Sequence, residues 1–386
     1  MKIFEKFNFR NKINNNNYKN LLIKNIDYSN ISINNDFKNL RIYYFDILRI
    51  VSSFSVILIH TSARYYYKLN INSNNWKIAF YYNGIARFGV PVFFMMSGAI
   101  FLNKDISFRQ MFNKYIKNLL IKLIFWSFIY SIYRVNLTKK NISKIAVAFF
   151  SGNYHLWFLD VIIELYLITP FLREIIKKDL LKLFIKLSFI FTFIIPNICK
   201  CNSYFPLTIS RILEIIENKF DYKYIKGYIF YFMLGNYLNN NNISIYKVII
   251  IYLFGIIGFL FTTKILYTIS IIKQQKYIQY FRALNLNILL YSTSIFMFFK
   301  LNLNNYKKKQ LMKKISNYTF SIYLIHPLIL NIFRRIIGDF ESIKLLFSIP
   351  LISIIVFILF INKEEFKGTF FIIKLILSIV ILLNLK

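Results

Sequence analysis

The stretch Tyr44 to Tyr67 reads YFDILRIVSSFSVILIHTSARYYY, and its reading decides the fold. It is long and apolar enough to cross a bilayer as a helix, yet it carries Arg49 and His60 in its interior. Eleven helical residues turn through about 1100°, three turns plus roughly 20°, so the two side chains share one side about 16 Å apart. Asp46 and Ser53 fall near the same stripe, and Arg64 lies one turn beyond His60. Ionisable groups at membrane depth are costly unless they face a protein interior or a water-filled cavity, which makes them functional candidates. The segment reads as one wall of a reaction chamber.

Working outward, apolar runs of similar length recur along the chain. Of its 386 residues 57% are hydrophobic, 19% aromatic and 17% charged, and a soluble protein has no need of so many bilayer-length runs. The expectation is an all-α polytopic integral membrane protein with 10–11 transmembrane helices. Spans are expected at about 42–66, 84–103, 117–135, 152–172, 182–198, 226–239, 246–268, 283–301, 316–336, 342–361 and 369–385, the last being the one in question. Residues 1–41 are polar, Asn-rich and basic, and read as a disordered tail ahead of a transmembrane domain at 42–386.

The Lys/Arg distribution favours a cytoplasmic N-terminus, with the tail, the 104–117 and 173–186 loops and the basic cluster at 307–314 on that side. The formal charge of +34 is spread over many loops, with no soluble domain to gather it. It suits anionic lipid headgroups rather than nucleic acid. Cys199 and Cys201 read as ordinary thiols, and no Cys or His spacing suggests a metal.

Four segments taken in order resemble the acyltransferase-3 family of membrane acyltransferases. Arg49 and His60 match its basic residue, ten intervening positions and histidine. RFGVPVFFMMSG at 87–98, HLWFLDVIIELYLITP at 155–170 and SNYTFSIYLIHPLIL at 316–330 are similar to the three segments that follow. The resemblance covers about 42–361. It implies transfer of an acyl group, acetyl in many members, from an acyl-coenzyme A to a hydroxyl of a cell-surface polysaccharide or glycolipid. The expected partners are therefore acyl-CoA, a carbohydrate acceptor and membrane lipid, in the cell membrane.

Such a transfer needs a base for the hydroxyl proton, and histidine titrates near neutrality. His60 is the candidate base. Arg87, just ahead of Gly89 and Pro91, is the candidate to stabilise negative charge on the reacting carbonyl. Arg49, with Asp46 at i−3, is placed on the phosphates or pantetheine of acetyl-CoA or another acyl-CoA, and no metal is required. Trp157, Asp160 and Glu164 share one helical face, and with His155 they are assigned to the acceptor. Asp160 and Glu164 make this segment more acidic than the family pattern. Ser97 and Gly98 read as packing residues, and His326, ahead of Pro327, reads as structural. A polytopic exporter of polysaccharide or lipid-linked sugar is the rival reading, and a scaffold for surface-polymer assembly a third.

Overall fold

The computed structural model describes residues 43–135, 142–200, 224–303, 309–337 and 345–358, with isolated helical positions between 208 and 215. The described residues form helices joined by turns, with no strand among them. Among the described residues six helices are long and apolar enough to cross a membrane, at Tyr43–Lys68, Asn74–Phe101, Phe108–Val135, Leu181–Ile198, Ile245–Lys273 and Ile278–Leu303. The chain is a multi-pass membrane protein. The expected tail at 1–41, the segment at 369–385 and Cys201 lie outside the described residues.

Helix α1 (Tyr43–Lys68) is followed by α2 (Asn74–Ile85), which passes through a 3₁₀ turn at Ala86–Phe88 into α3 (Gly89–Phe101). This second span starts ten residues earlier than its hydropathy suggests. Ser73 caps it, its hydroxyl accepting from the Trp76 amide at 3.1 Å, so the helix begins within a polar stretch. Next come α4 (Phe108–Met111), a π turn at Phe112–Ile116, α5 (Lys117–Val135) and the short α6 (Ile142–Phe150). Helix α7 (Trp157–Lys177) starts five residues after position 152, because Gly152 adopts a positive φ of 66° in the preceding turn.

The remaining described helices are α8 (Leu181–Phe189), which a π turn joins to α9 (Ile195–Lys200), then α10 (Tyr228–Asn240), and α11 (Ile245–Leu260), which a second π turn joins to α12 (Leu266–Lys273). A 3₁₀ turn at Ile278–Phe281 leads to α13 (Leu286–Leu303), α14 (Lys309–Ile337) and α15 (Leu345–Ile358). The expected span at 226–239 forms as the short α10.

Two buried clusters stack along α1. One gathers around Tyr44, Phe45 and Leu48 with α3, α10 and α13. The other gathers around Ile57, Leu58 and Ile59 with α2, α5, α14 and α15. Lipid tails are as apolar as leucine, so helices in a bilayer associate through close packing of small residues and polar contacts. The α3–α10 crossing shows this. A Cβ on Gly98 would lie 1.7 Å from the Phe232 carbonyl oxygen, and one on Gly235 would lie 1.9 Å from that of Met95. The two backbones touch at these positions, as expected for Gly98.

Polar contacts join α1 to α14. Ser316 Oγ donates to Asp46 at 2.8 Å, Ser53 Oγ to the Thr319 carbonyl at 3.5 Å, and Arg334 Nη2 to the His60 carbonyl at 3.2 Å. Numbering rises together on both helices, so they run parallel. Asp46, Ser53 and His60 are spaced seven apart, two helical turns each, which keeps one polar stripe of α1 on α14. Gly98→Leu should push α3 from α10 and cost about 1–3 kcal/mol or more, the usual range for overpacking. A lowered midpoint of thermal unfolding in detergent would register it, and an unchanged midpoint would contradict the contact.

Candidate active site

His60 is partly buried near the C-terminal end of α1. Its ring centroid lies 5.0 Å from that of His326 on α14 and 5.3 Å from that of Tyr154, in the turn before α7. His155 follows Tyr154 and lies 5.5 Å from His326. The chain has three histidines, and three distant segments bring all of them to one place.

Proline explains the orientation of one of them. Pro327 has no N–H, so the Tyr323 carbonyl four residues back loses its helical donor. His326 Nδ1 bonds that carbonyl at 2.7 Å. A carbonyl only accepts, so Nδ1 carries the proton and the neutral ring keeps its lone pair on Nε2. His155 is fixed in the opposite sense. Its Nε2 lies 3.3 Å from the Leu324 carbonyl, which also accepts from Tyr130 Oη at 2.8 Å, and its own carbonyl accepts from Tyr323 Oη. His326 Nε2 and His155 Nδ1 are both buried without a hydrogen-bond partner.

Two guanidinium groups lie within electrostatic range of the His60 ring, Arg87 and Arg334. Arg87 is anchored by Asn83 one turn earlier, its Nε donating to Asn83 Oδ1 at 2.9 Å and its Nη2 to the same oxygen. Fully buried Asn83 in turn donates to the Ile59 carbonyl and to Ser62 Oγ, both at 3.1 Å. The amide thus ties Arg87 to the turn of α1 that carries His60. Phe281 packs against the guanidinium, its centroid 5.1 Å from Cζ. Gly89 lets the following turn sit against α1, for a Cβ there would fall 2.0 Å from Ser55 Oγ.

The expected donor residues lie toward the other end of α1. Asp46 is sealed from solvent and pairs with Arg49 Nη1 at 3.3 Å while accepting from Ser316, so it reaches a ligand only by orienting Arg49. The Arg49 side chain stays 33% accessible. Of the residues assigned to the acceptor, His155 joins the histidine cluster. Trp157 is 37% exposed and packs on Tyr228, 5.1 Å between centroids. Asp160 and Glu164 lie on the exposed face of α7. Among the described residues no three His, Cys, Asp or Glu side chains are set to hold a metal ion.

Sequence reasoning missed His326, Asn83 and Arg334 as partners of His60. The His-Pro dipeptide was the available signal for His326. Asn83, a neutral amide, and Arg334, near a helix end, gave none.

With this geometry in place, the comparisons with known proteins assign the class. The acyltransferase-3 family, described as an acyltransferase domain, matches residues 42–362, and the chain belongs to it. It is a membrane acyltransferase by family. Among curated proteins it is similar to the "Probable poly-beta-1,6-N-acetyl-D-glucosamine export protein" of Staphylococcus aureus strains MSSA476 and MW2. Each is 26% identical over 301 residues, 73% of this chain and 82% of the relative. No solved structure matches.

Replacing Asn83 by Leu should strip Arg87 of its anchor and leave the Ile59 carbonyl without this donor. A loss of about 1–3 kcal/mol is expected for a buried network broken on one side. Thermal unfolding in detergent measures it, and a shift below about 0.5 kcal/mol would refute the bridging role.

Proposed function

We propose that the chain is an O-acyltransferase that moves an acyl group, acetyl foremost, from an acyl-CoA to a hydroxyl of a cell-surface polysaccharide or glycolipid. One observation carries the reading. The imidazole of His60 stands where α1, α14 and the turn before α7 meet, with Arg87 held toward it through Asn83.

In this reading the His60 ring takes the proton of the acceptor hydroxyl as its oxygen attacks the acyl carbon, then returns it to the departing sulfur. Arg87, preorganised by Asn83, offsets the negative charge that develops on the carbonyl oxygen. Because the amide fixes the guanidinium beforehand, little reorganisation is needed when that charge appears. Acyl-CoA supplies the activated thioester. The accessible guanidinium of Arg49 suits its phosphates, and about 16 Å of helix between Arg49 and His60 suits a pantetheine arm. Asp46 keeps Arg49 in place, while Trp157 and His155 border the acceptor side. Asp160 and Glu164, on the exposed face, would serve only an acceptor approaching along α7. With the N-terminus in the cytoplasm of a cell-membrane protein, the donor handle enters from inside and the histidine cluster lies toward the outer face.

His60→Ala should lower acyl transfer from acetyl-CoA by about 10²–10⁴-fold in protein reconstituted into lipid. Undiminished turnover in that variant would eliminate the base. Arg49→Ala should instead raise the KM for acetyl-CoA by about tenfold or more, the loss of one charge-assisted contact, with kcat changing less. A fall in kcat at unchanged KM would move Arg49 out of the donor site.

The printed name of the Staphylococcus aureus relatives supports a second reading, export of a polysaccharide. Movement of a labelled glycan across vesicles containing the protein, with no acyl donor present, would favour it.

A further inference from the structure

His326 is fully buried and His155 is 2% exposed, yet each keeps one ring nitrogen without a hydrogen-bond partner. Buried polar atoms are rarely left so, and an exception needs a physical account. The two nitrogens are not equivalent with respect to His60. The His326 ring lies 5.0 Å from His60 at an interplanar angle of 36°, while the ring beside His60 from the α7 side is the phenol of Tyr154. His326, like His155, has its protonation set by a backbone carbonyl. Pro327 frees the Tyr323 carbonyl, that carbonyl takes Nδ1–H, and the lone pair is left on Nε2.

We infer that His326 is a positioning residue for His60: its Nε2 accepts a hydrogen bond from one ring N–H of His60, and so fixes the lone pair of His60 on the other nitrogen. No proton changes owner in this contact. Two imidazoles joined by an N–H···N bond have centroids about 5 Å apart, and these two lie at 5.0 Å. A neutral imidazole has one donor and one acceptor nitrogen, so holding the first decides which edge can serve as a base. The catalytic role of His60 rests on the proposed acyltransferase reading; its tautomer control by His326 does not. Other groups around His60 leave this task to His326. Arg334 from α14 and Arg87 from the 3₁₀ turn are donors only, the His60 ring contacts are with His326 and the phenol of Tyr154, and the His155 ring meets that of His326 at 5.5 Å.

Three histidines make the test tractable. Protein carrying histidine labelled with the heavy nitrogen isotope, reconstituted in lipid, gives nitrogen resonances from three side chains. Single substitutions at His60, His155 and His326 assign them. The expected spectrum has His326 protonated on Nδ1 alone and His60 in one tautomer. His326→Leu should convert His60 to a mixture of both tautomers, and His326→Gln, whose carbonyl can still accept, should retain one. In turnover assays His326→Leu should lower kcat by about 10- to 100-fold, part of what a positioned base supplies, with the KM for acetyl-CoA unchanged. It should also displace the pH profile, and His326→Gln should recover part of the rate. A protonated Nε2 on His326, or an unchanged His60 tautomer in His326→Leu, would overturn the inference. The wild-type spectrum decides the first point even if a variant fails to fold. Absence of acyl transfer by wild type, with the expected spectrum intact, would sink the acyltransferase reading and leave the inference standing.

Discussion

A hydrocarbon interior offers no water, so each polar group carried into it must find its partner within the protein. The pairing of α1 with α14 meets that demand at three levels of the seam. Asp46 is met by Ser316 and Arg49, Ser53 by a carbonyl, and the His60 carbonyl by Arg334. The stripe that puts His60 in the membrane is therefore the stripe that binds the two helices. The proposed site and the packing draw on the same seven-residue spacing, and α1 cannot rotate about its axis without breaking both.

The second span shows how one backbone interruption serves several ends. Pro91 lacks an N–H, and the 3₁₀ turn at Ala86–Phe88 lies directly ahead of it. The turn carries Arg87, its amide anchor sits one turn before, and Gly89 brings the whole against Ser55. A guanidinium in a dry site needs its donors occupied before substrate arrives. Asn83 occupies two of them without neutralising the charge.

Much of this was legible in the chain because helical periodicity is local. The alignment of Asp46, Ser53 and His60, the Asp46–Arg49 pair, the interruption near Arg87 and the close packing at Gly98 all follow from spacings within one helix. What was hidden depends on which helix meets which. Ser316 and His326 are more than 250 positions from the α1 residues they meet, and nothing in an apolar run announces its neighbour. Asn83 escaped notice because a neutral amide mid-helix gains meaning only from the carbonyl it reaches. Trp157, Asp160 and Glu164 do share a face, as periodicity requires, but periodicity does not say whether that face looks inward. The start of α2 was hidden for a smaller reason: hydropathy weighs side chains, while Ser73 acts through its hydroxyl on the backbone.

The proline at 327 has a mechanical side as well. A helix lacking one rung of its ladder bends there at lower cost than an intact one. Beyond this joint α14 carries Arg334, whose grip on the His60 carbonyl closes the wall from that side. The compliant point of α14 thus falls between the imidazole of His326 and the clasp of Arg334, and flexing it would change the spacing between clasp and imidazole while the lower half of the seam, from Asp46 to Ser53, stays registered.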